Sequence, residues 1–255
     1  MRFRLLALFA VVAVAGCGGA SAPTGSATGT AYIRFLNGSP DQTGVDFDLP
    51  AGTRYIPDLQ FKALTAYQTI AAGTYSVGAT APGSTTALVN STTGYPASTN
   101  SFVVEANTRN TVVLGGSQYN GDLQICTFDE PLFATASTQA EVQFNNCAPT
   151  YSGTIGTIAI GYYLTSNSTP VALLSTGLSD GANSGKLALP ATAANGVGFY
   201  ASSPAIGSLL PSQLDANDTT NALPFVNDQN VSVFILDGPI GTSNLTLVGA
   251  IDPNN

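Results

Sequence analysis

Three aspartates near the start of the chain are spaced so that they could hold a cation. Asp46 and Asp48 lie two residues apart in the segment VDFDL, which alternates apolar and acidic residues. On a β-strand both carboxylates would point to one face, and Asp41 in the preceding turn could complete an oxygen-only calcium site. The chain has no Asp-x-Asp-x-Asp-Gly loop, however, and a solvated acidic face that discourages edge pairing explains the same spacing. We therefore assign no metal site and keep these three aspartates as weak candidates.

Catalytic groups are scarce in this sequence. The chain contains no histidine, which excludes Ser/His/Asp and Cys/His catalysis and any imidazole metal site. Asp46 could act in glycoside hydrolysis, but no apolar pocket that would raise the pKa of a carboxyl group is evident around it. We expect a non-catalytic protein without a cofactor. The alternative is a carboxylate-based hydrolase of cell-wall or surface glycans.

The first 30 residues indicate export and anchoring. Arg2 and Arg4 precede an eleven-residue apolar run at 5–15, so residues 1–16 are typical of a secretory signal peptide. The following Cys17 completes Val-Ala-Gly-Cys, which resembles the bacterial lipobox, whose cysteine is lipidated and becomes the new N-terminus. Residues 17–30 are then a lipidated cysteine and a flexible Gly/Ser/Ala linker. An ordinary signal peptide with a chance cysteine is the alternative.

Cys126 and Cys147 are the two thiols that remain once Cys17 is lipidated. An even number of cysteines in an oxidising compartment favours a disulfide. Such a bond would link the end of the first half of the chain to the start of the second. The alternative is two separate buried cysteines that lie too far apart to pair.

Short segments rich in β-branched and aromatic residues fill the chain between Gly, Pro, Asn and Asp, and none has a sustained helical period. Predicted strands include 31–37, 140–146, 230–236 and 245–251. AYIRFLNGSP (31–40) aligns with AEVQFNNCAP (140–149) at an offset of 109, and the halves close on FDEP and IDP. This internal duplication favours an all-β fold with two tandem immunoglobulin-like antiparallel β-sandwich domains, at 31–133 and 134–255, over one large barrel.

Residues 34–80 carry Ser-Pro-Asp, then Val-Asp, then an apolar-aromatic step before a tyrosine, then Ala-Gly-Thr-Tyr leading a strand. The residues in question are Ser39, Pro40, Asp41, Val45, Asp46, Phe61, Tyr67, Ala72, Gly73, Thr74 and Tyr75. In these features the first half resembles a bacterial family catalogued as domain of unknown function 4397. The resemblance implies an envelope or surface β-sandwich, often in tandem, with no established activity. The second half is degenerate, because Ala148-Pro149-Thr150 replaces Ser-Pro-Asp.

Charge and location limit the partners. Charged residues make up 9% of the chain, and the net charge of −8 would become −10 on loss of Arg2 and Arg4. Such a protein repels nucleic acid. We expect a non-catalytic lipoprotein of the bacterial envelope, held to the membrane by lipid, that binds a glycan, the cell wall or an envelope protein, or serves as a structural spacer. Gly18 after Cys17, in place of the aspartate that retains some lipoproteins at the inner membrane, favours the outer membrane.

Overall fold

The computed structural model describes ten segments of the chain. They are residues 29–50, 52–89, 101–131, 139–151, 157–164, 169–190, 197–202, 216–217, 229–240 and 245–252. The predicted leader and Cys17 lie outside the described residues. Among the described residues, no helix is long and apolar enough to span a membrane.

The described residues form eighteen β-strands and one helical turn at 149–151, which confirms the all-β prediction. The strands are β1 (Thr30–Asn37), β2 (Gly44–Asp48), β3 (Arg54–Gln60), β4 (Gln68–Ala71), β5 (Gly73–Ser76), β6 (Gly78–Thr80), β7 (Ala87–Val89), β8 (Ser101–Val104), β9 (Thr108–Gly115), β10 (Gln124–Pro131), β11 (Gln139–Cys147), β12 (Thr157–Leu164), β13 (Thr169–Ser179), β14 (Asn183–Pro190), β15 (Val197–Ser202), β16 (Ala216–Asn217), β17 (Asn230–Asp237) and β18 (Leu245–Asp252).

Strands β1 to β10 form the first repeat. One sheet has the order β10-β9-β1-β4 and faces a second sheet of order β3-β2-β6-β7, while β5 and β8 form a separate pair. Apolar residues from both four-stranded sheets fill the space between them, among them Ile33, Phe35, Phe47 and Val112. This arrangement is a β-sandwich, in which alternate residues of each strand enter the core.

Strands β11 to β18 form the second repeat, and its sheets have the same order. The sheet β18-β17-β11-β14 matches β10-β9-β1-β4 strand for strand, and β13-β12-β15-β16 matches β3-β2-β6-β7. In both repeats the first strand pairs in parallel with a central strand, β1 with β9 and β11 with β17, and the other pairs are antiparallel. The prediction of antiparallel strands throughout is therefore wrong for these two pairs. A parallel pair needs a long crossover, and the strands of the opposite sheet supply it.

The two repeats pack against each other through the faces of β10-β9-β1-β4 and β18-β17-β11-β14 that point away from their own cores. Apolar residues of both sheets form a third core here, which we call the repeat seam. It comprises Leu36, Val113, Cys126, Phe128, Cys147, Phe234 and Leu236. Strand β1 shows the alternation, because Ile33 and Phe35 enter the first core while Leu36 enters the seam. The two inner sheets are thus buried on both faces.

Candidate functional site

A buried guanidinium connects the two repeats at one end of the seam. Arg34 on β1 binds Glu130 of the first repeat through two hydrogen bonds of 2.9 and 3.0 Å. Its Nη1 also lies 2.6 Å from Oδ1 of Asp252 in the second repeat. Although burial opposes the charged guanidinium, Glu130 and Asp252 hold the pKa of Arg34 above its ordinary value. The ion pairs therefore persist at any pH at which the carboxylates are ionised.

The two carboxylates around Arg34 are held in matching ways. Glu130 and Asp252 lie on corresponding strands, β10 and β18, and each precedes a proline. The hydroxyl of Thr111 donates to Glu130 at 2.8 Å, and the hydroxyl of Ser232 donates to Asp252 at 2.6 Å. The two repeats differ in the cation. The position equivalent to Arg34 is occupied by the uncharged Gln143 in the second repeat.

Tyr67, from the segment between β3 and β4, covers this network. Its ring lies 4.4 Å from the guanidinium of Arg34, and its hydroxyl donates to Glu130. Burial and the adjacent Glu130 raise the pKa of Tyr67 above its usual range, so the hydroxyl stays protonated. This residue is one of those that carried the family resemblance, and its role is to complete an ion network.

The opposite end of the seam holds the disulfide. Cys126 on β10 is bonded to Cys147 on β11, with a Cα–Cα distance of 6.0 Å, which confirms the predicted pairing. Next to it the side-chain amide of Gln124 donates to both carboxylate oxygens of Asp180, at 2.8 and 2.7 Å. A side chain on Gly115 would collide with the backbone and sulfur of Cys147, so the close approach of β9 to β11 requires glycine here.

Three carboxylates gather beside the disulfide. Asp122 accepts a 2.5 Å hydrogen bond from the hydroxyl of Thr150, and Asp237 accepts hydrogen bonds from the backbone amides of Thr150 and Tyr151 at 3.2 and 2.9 Å. Burial raises the pKa of Asp237 to about 7, and the negative charges of Asp122 and Asp180 act in the same direction. Burial also raises the pKa of Asp180.

Asp46 and Asp48 are buried, so the predicted solvated acidic face is wrong. Asp46 lies 2.8 Å from Nε of Arg54 and accepts backbone hydrogen bonds from Asp58 at 2.7 Å and Gly83 at 2.9 Å. Burial alone would raise its pKa, but these hydrogen bonds and Arg54 hold the pKa below its ordinary value. The strand alternates as expected, but β3 and the turn at 81–84 cover its acidic face.

Asp41 does not join Asp46 in a shared site. It accepts hydrogen bonds from the hydroxyls of Ser39 and Ser117, both at 2.8 Å, and from the backbone amide of Tyr119 at 2.9 Å. Despite partial burial, these donors hold the pKa of Asp41 below its ordinary value. In the described part of the chain, no three His, Cys, Asp or Glu residues are grouped so that they could hold a metal ion.

A comparison with protein-family models confirms the family resemblance that the sequence motifs indicated. Residues 31–153 match the family model described as "Domain of unknown function (DUF4397)". These residues are a DUF4397 domain. The match covers the first repeat, β11 and the helical turn that follows it. No curated protein matches the chain. A solved structure from Bacteroides eggerthii DSM 20697, described as a "putative cell adhesion protein", is 8% identical over 88% of this chain and 95% of that one, with a TM-score of 0.20.

An asparagine shapes equivalent corners in the first and second repeats. Asn37 donates to the carbonyls of Gln42 and Leu59 and accepts from the amide of Ser39. Asn146, 109 positions later, donates to the carbonyl of Leu178 and accepts from the amide of Ala148. Both side chains satisfy backbone groups where the chain leaves one sheet for the other, so the shared asparagine of the two repeats is structural.

Arg34, Tyr67, Glu130 and Asp252 were not predicted from the sequence as a group. The one available signal was the acidic residue before a proline that closes each half, at FDEP and IDP. The sequence around Arg34 gave no such signal, because an arginine between apolar residues on a strand is ordinarily expected to face solvent.

Proposed function

We propose that this protein is a non-catalytic lipoprotein of the bacterial envelope, and that its paired β-sandwiches act as one rigid binding or spacer module. The observation that carries the proposal is the repeat seam, where an apolar core, the Arg34 network and a disulfide join the two repeats. Tandem domains that only share a linker keep their relative motion, whereas a large apolar interface removes it.

The state of the carboxylates supports a non-catalytic role. A glycoside hydrolase needs one carboxyl group with a raised pKa as the acid and a second, ionised carboxylate near it. Asp46 is buried, paired with Arg54 and held below its ordinary pKa, so it is poorly suited to donate a proton to a substrate. Asp41 likewise uses both carboxylate oxygens within the corner of the first repeat.

The envelope location is supported by the leader and the lipobox-like Val-Ala-Gly-Cys. A lipidated Cys17 followed by a flexible segment would hold the sandwiches close to a membrane, and Gly18 favours the outer one. Charged residues are too few and too acidic for a nucleic-acid partner. A glycan, the cell wall or another envelope protein remains the proposed partner class.

Cell fractionation tests the anchor. We expect the wild-type protein in the membrane fraction, labelled by a fatty acid, and the Cys17→Ser variant unlabelled and absent from that fraction. Ser21→Ala, a small change in the same segment, serves as the control and is expected to behave as wild type. A Cys17→Ser protein that stays with the membranes would rule out the lipid anchor.

A polysaccharide screen tests the absence of catalysis. We expect purified wild-type protein to release no sugar from cell-wall or surface glycans. If sugar is released, the Asp46→Asn variant shows whether the protein is a carboxylate-based hydrolase. Activity that Asp46→Asn abolishes without lowering the melting temperature would replace the binding module with the hydrolase.

A further inference from the structure

Strand β18 is an edge of the sheet β18-β17-β11-β14, and among the described strands it pairs with β17 alone. The pairing with β17 runs through eight consecutive residues without a bulge. The sequence of β18, LTLVGAID, contains no proline, and its one charged residue, Asp252, is the last of the strand. A long, regular and apolar edge strand presents backbone N–H and C=O groups to which a further strand can bind.

The other edge strands of the four-stranded sheets carry features that prevent such pairing. Strands β4, β7 and β16 have four residues or fewer. Register shifts interrupt the pairing of β3, β13 and β14. Strand β10 is long and regular, but it ends in Asp129, Glu130 and Pro131. In the part of the chain that the structure describes, β18 is the edge strand that lacks all of these features.

Strands β10 and β18 hold equivalent positions in the two repeats, yet they differ on the face that points toward the sandwich core. In β10 this face exposes Thr127 and Asp129, and the register of the sheets places Gly249 and Ile251 at the equivalent positions of β18. Ile251 is 45% exposed, and Leu247 on the same face is only partly buried against the second core. The second repeat therefore exposes apolar surface where the first exposes polar side chains.

The seam face of β18 is also incompletely covered. Cys126 and Phe128 of β10 are buried in the repeat seam, whereas Val248 and Ala250 of β18 are half-buried. A strand added beside β18 would therefore bury apolar side chains on both faces of the sheet. Burial of apolar surface on both faces adds a hydrophobic contribution to the backbone hydrogen bonds.

We propose that two copies of this chain pair through β18, antiparallel about a two-fold axis at Gly249, so that the sheet continues from one protomer into its partner. Residues directly opposite each other in an antiparallel pair point to the same face. In this register Leu247 lies opposite the partner's Ile251, and Val248 lies opposite the partner's Ala250. Gly249 lies opposite its own copy and places no side chain between the strands.

The self-complementarity of β18 favours a second copy over a foreign strand. A two-fold interface uses one surface twice, so a strand must match its own reversed sequence. With the axis at Gly249, residues 246–252 of the two copies are paired and each apolar side chain meets an apolar one. Asp252 lies opposite the partner's Thr246, so like charges do not oppose each other. The inference goes beyond the proposed function and is independent of the lipid anchor, since it depends on β18 alone.

Sedimentation of the purified full chain tests the dimer. We expect wild-type protein to form dimers, and Ile251→Asp, which gives β18 the residue of β10, to weaken association at least about a hundredfold, because a carboxylate must lose its water opposite an apolar side chain. Val103→Asp makes the same kind of change at an apolar residue of β8 that is 58% exposed, and it is expected to dimerise as wild type does.

Cysteine cross-linking tests the register. Under mild oxidation Gly249→Cys should form a disulfide between protomers, because the two cysteines would lie directly opposite each other. Thr127→Cys places a cysteine at the equivalent, exposed position of β10 and should not cross-link. Both variants keep the same other cysteines, so any cross-link through Cys17 appears in both, and a failure of the lipid anchor leaves this comparison readable.

Several outcomes would overturn the proposal. A wild-type chain that is monomeric at every concentration tested would do so, and hydrogen exchange of the β18 amides would then show the alternative. Slow exchange in the monomer would mean that another segment of the same chain covers the edge, and fast exchange would leave the edge to a strand of another protein. A dimer that persists in Ile251→Asp, or equal cross-linking at positions 249 and 127, would place the contact elsewhere. If Ile251→Asp lowers the melting temperature, the cross-linking comparison decides.

Discussion

The two repeats stabilise equivalent corners with carboxylates that come from opposite sides of the contact, from the corner itself in the first repeat and from the central strand in the second. In the first repeat, Asp41 lies in the corner itself and reaches the loop after the central strand, where it binds Ser117 and Tyr119. In the second repeat Thr150 takes the place of Asp41, and Asp237, at the end of the central strand, reaches back to the amides of Thr150 and Tyr151. The loss of Ser-Pro-Asp from the second repeat is thus compensated from the other side of the contact.

The difference between the corners lies in the charge state that each favours. Asp41 is half-buried among donors, and its pKa is lowered, so its ionised form stabilises the fold. Asp237 is buried beside two other carboxylates, and its pKa is raised, so its neutral form does. A repeated architecture therefore does not imply repeated electrostatics, because charge depends on the neighbours that tertiary packing supplies.

The largest effect is expected where the repeats differ most, at the position shared by Arg34 and Gln143. Arg34→Gln gives the first repeat the residue of the second and leaves Glu130 and Asp252 buried without a cation. Breaking a buried ion pair in this way costs about 3–5 kcal/mol of the free energy of unfolding, measured by urea denaturation. Arg54→Gln removes a half-exposed arginine from Asp46 and should cost much less. Equal losses in the two variants would contradict the special role of the seam network.

The second-largest loss of stability is expected when the disulfide between the repeats is removed. Replacing both Cys126 and Cys147 by alanine should lower the free energy of unfolding by about 3 kcal/mol, because the bond closes a loop of 21 residues in the unfolded chain. Urea denaturation of wild-type protein with and without reductant gives an independent value for the same bond. A double variant as stable as wild type would show that the seam does not depend on the disulfide.

The shared corner asparagines should give similar losses in the two repeats. Asn37→Ala and Asn146→Ala each leave buried backbone groups without their side-chain partner, at a cost of about 2 kcal/mol. Thermal unfolding of the two variants side by side measures this. A loss confined to Asn37→Ala would show that the second corner is held by other contacts and that the two corners are not equivalent.

The smallest loss of stability is expected at Asp41, and it tests the contrast between Asp41 and Asp237. Asp41→Asn should destabilise the protein at pH 7 by about 1 kcal/mol, because an amide cannot accept all three hydrogen bonds. Since the pKa of Asp41 is lowered, its contribution is present above about pH 4 and is lost as the pH falls through its folded value. The Asp41→Asn difference should therefore shrink in acid. A difference from wild type that stays the same in acid would contradict this role of the ionised Asp41.

Much of the local structure could be read from the sequence. The strands predicted at 31–37 and 230–236 begin and end within one residue of β1 and β17, because β-branched and aromatic residues are concentrated there. The pairing of Cys126 with Cys147 followed from the lack of a competing thiol. The edge strands β3, β4, β7 and β14 were not predicted, because edge strands depend on their neighbours for pairing.

The sequence by itself determined the all-β fold and the internal repeat, since period-2 alternation and turn residues act over a few positions. Only the tertiary structure decided that the outer faces of the two inner sheets meet. Those faces mix apolar residues such as Leu36 with polar ones such as Arg34, so local patterning alone does not show that they are buried. Arg34 and Asp252 lie 218 positions apart, and their contact exists only once both repeats have folded. The burial of Asp46 has the same origin, because its partners Arg54 and Gly83 come from other segments.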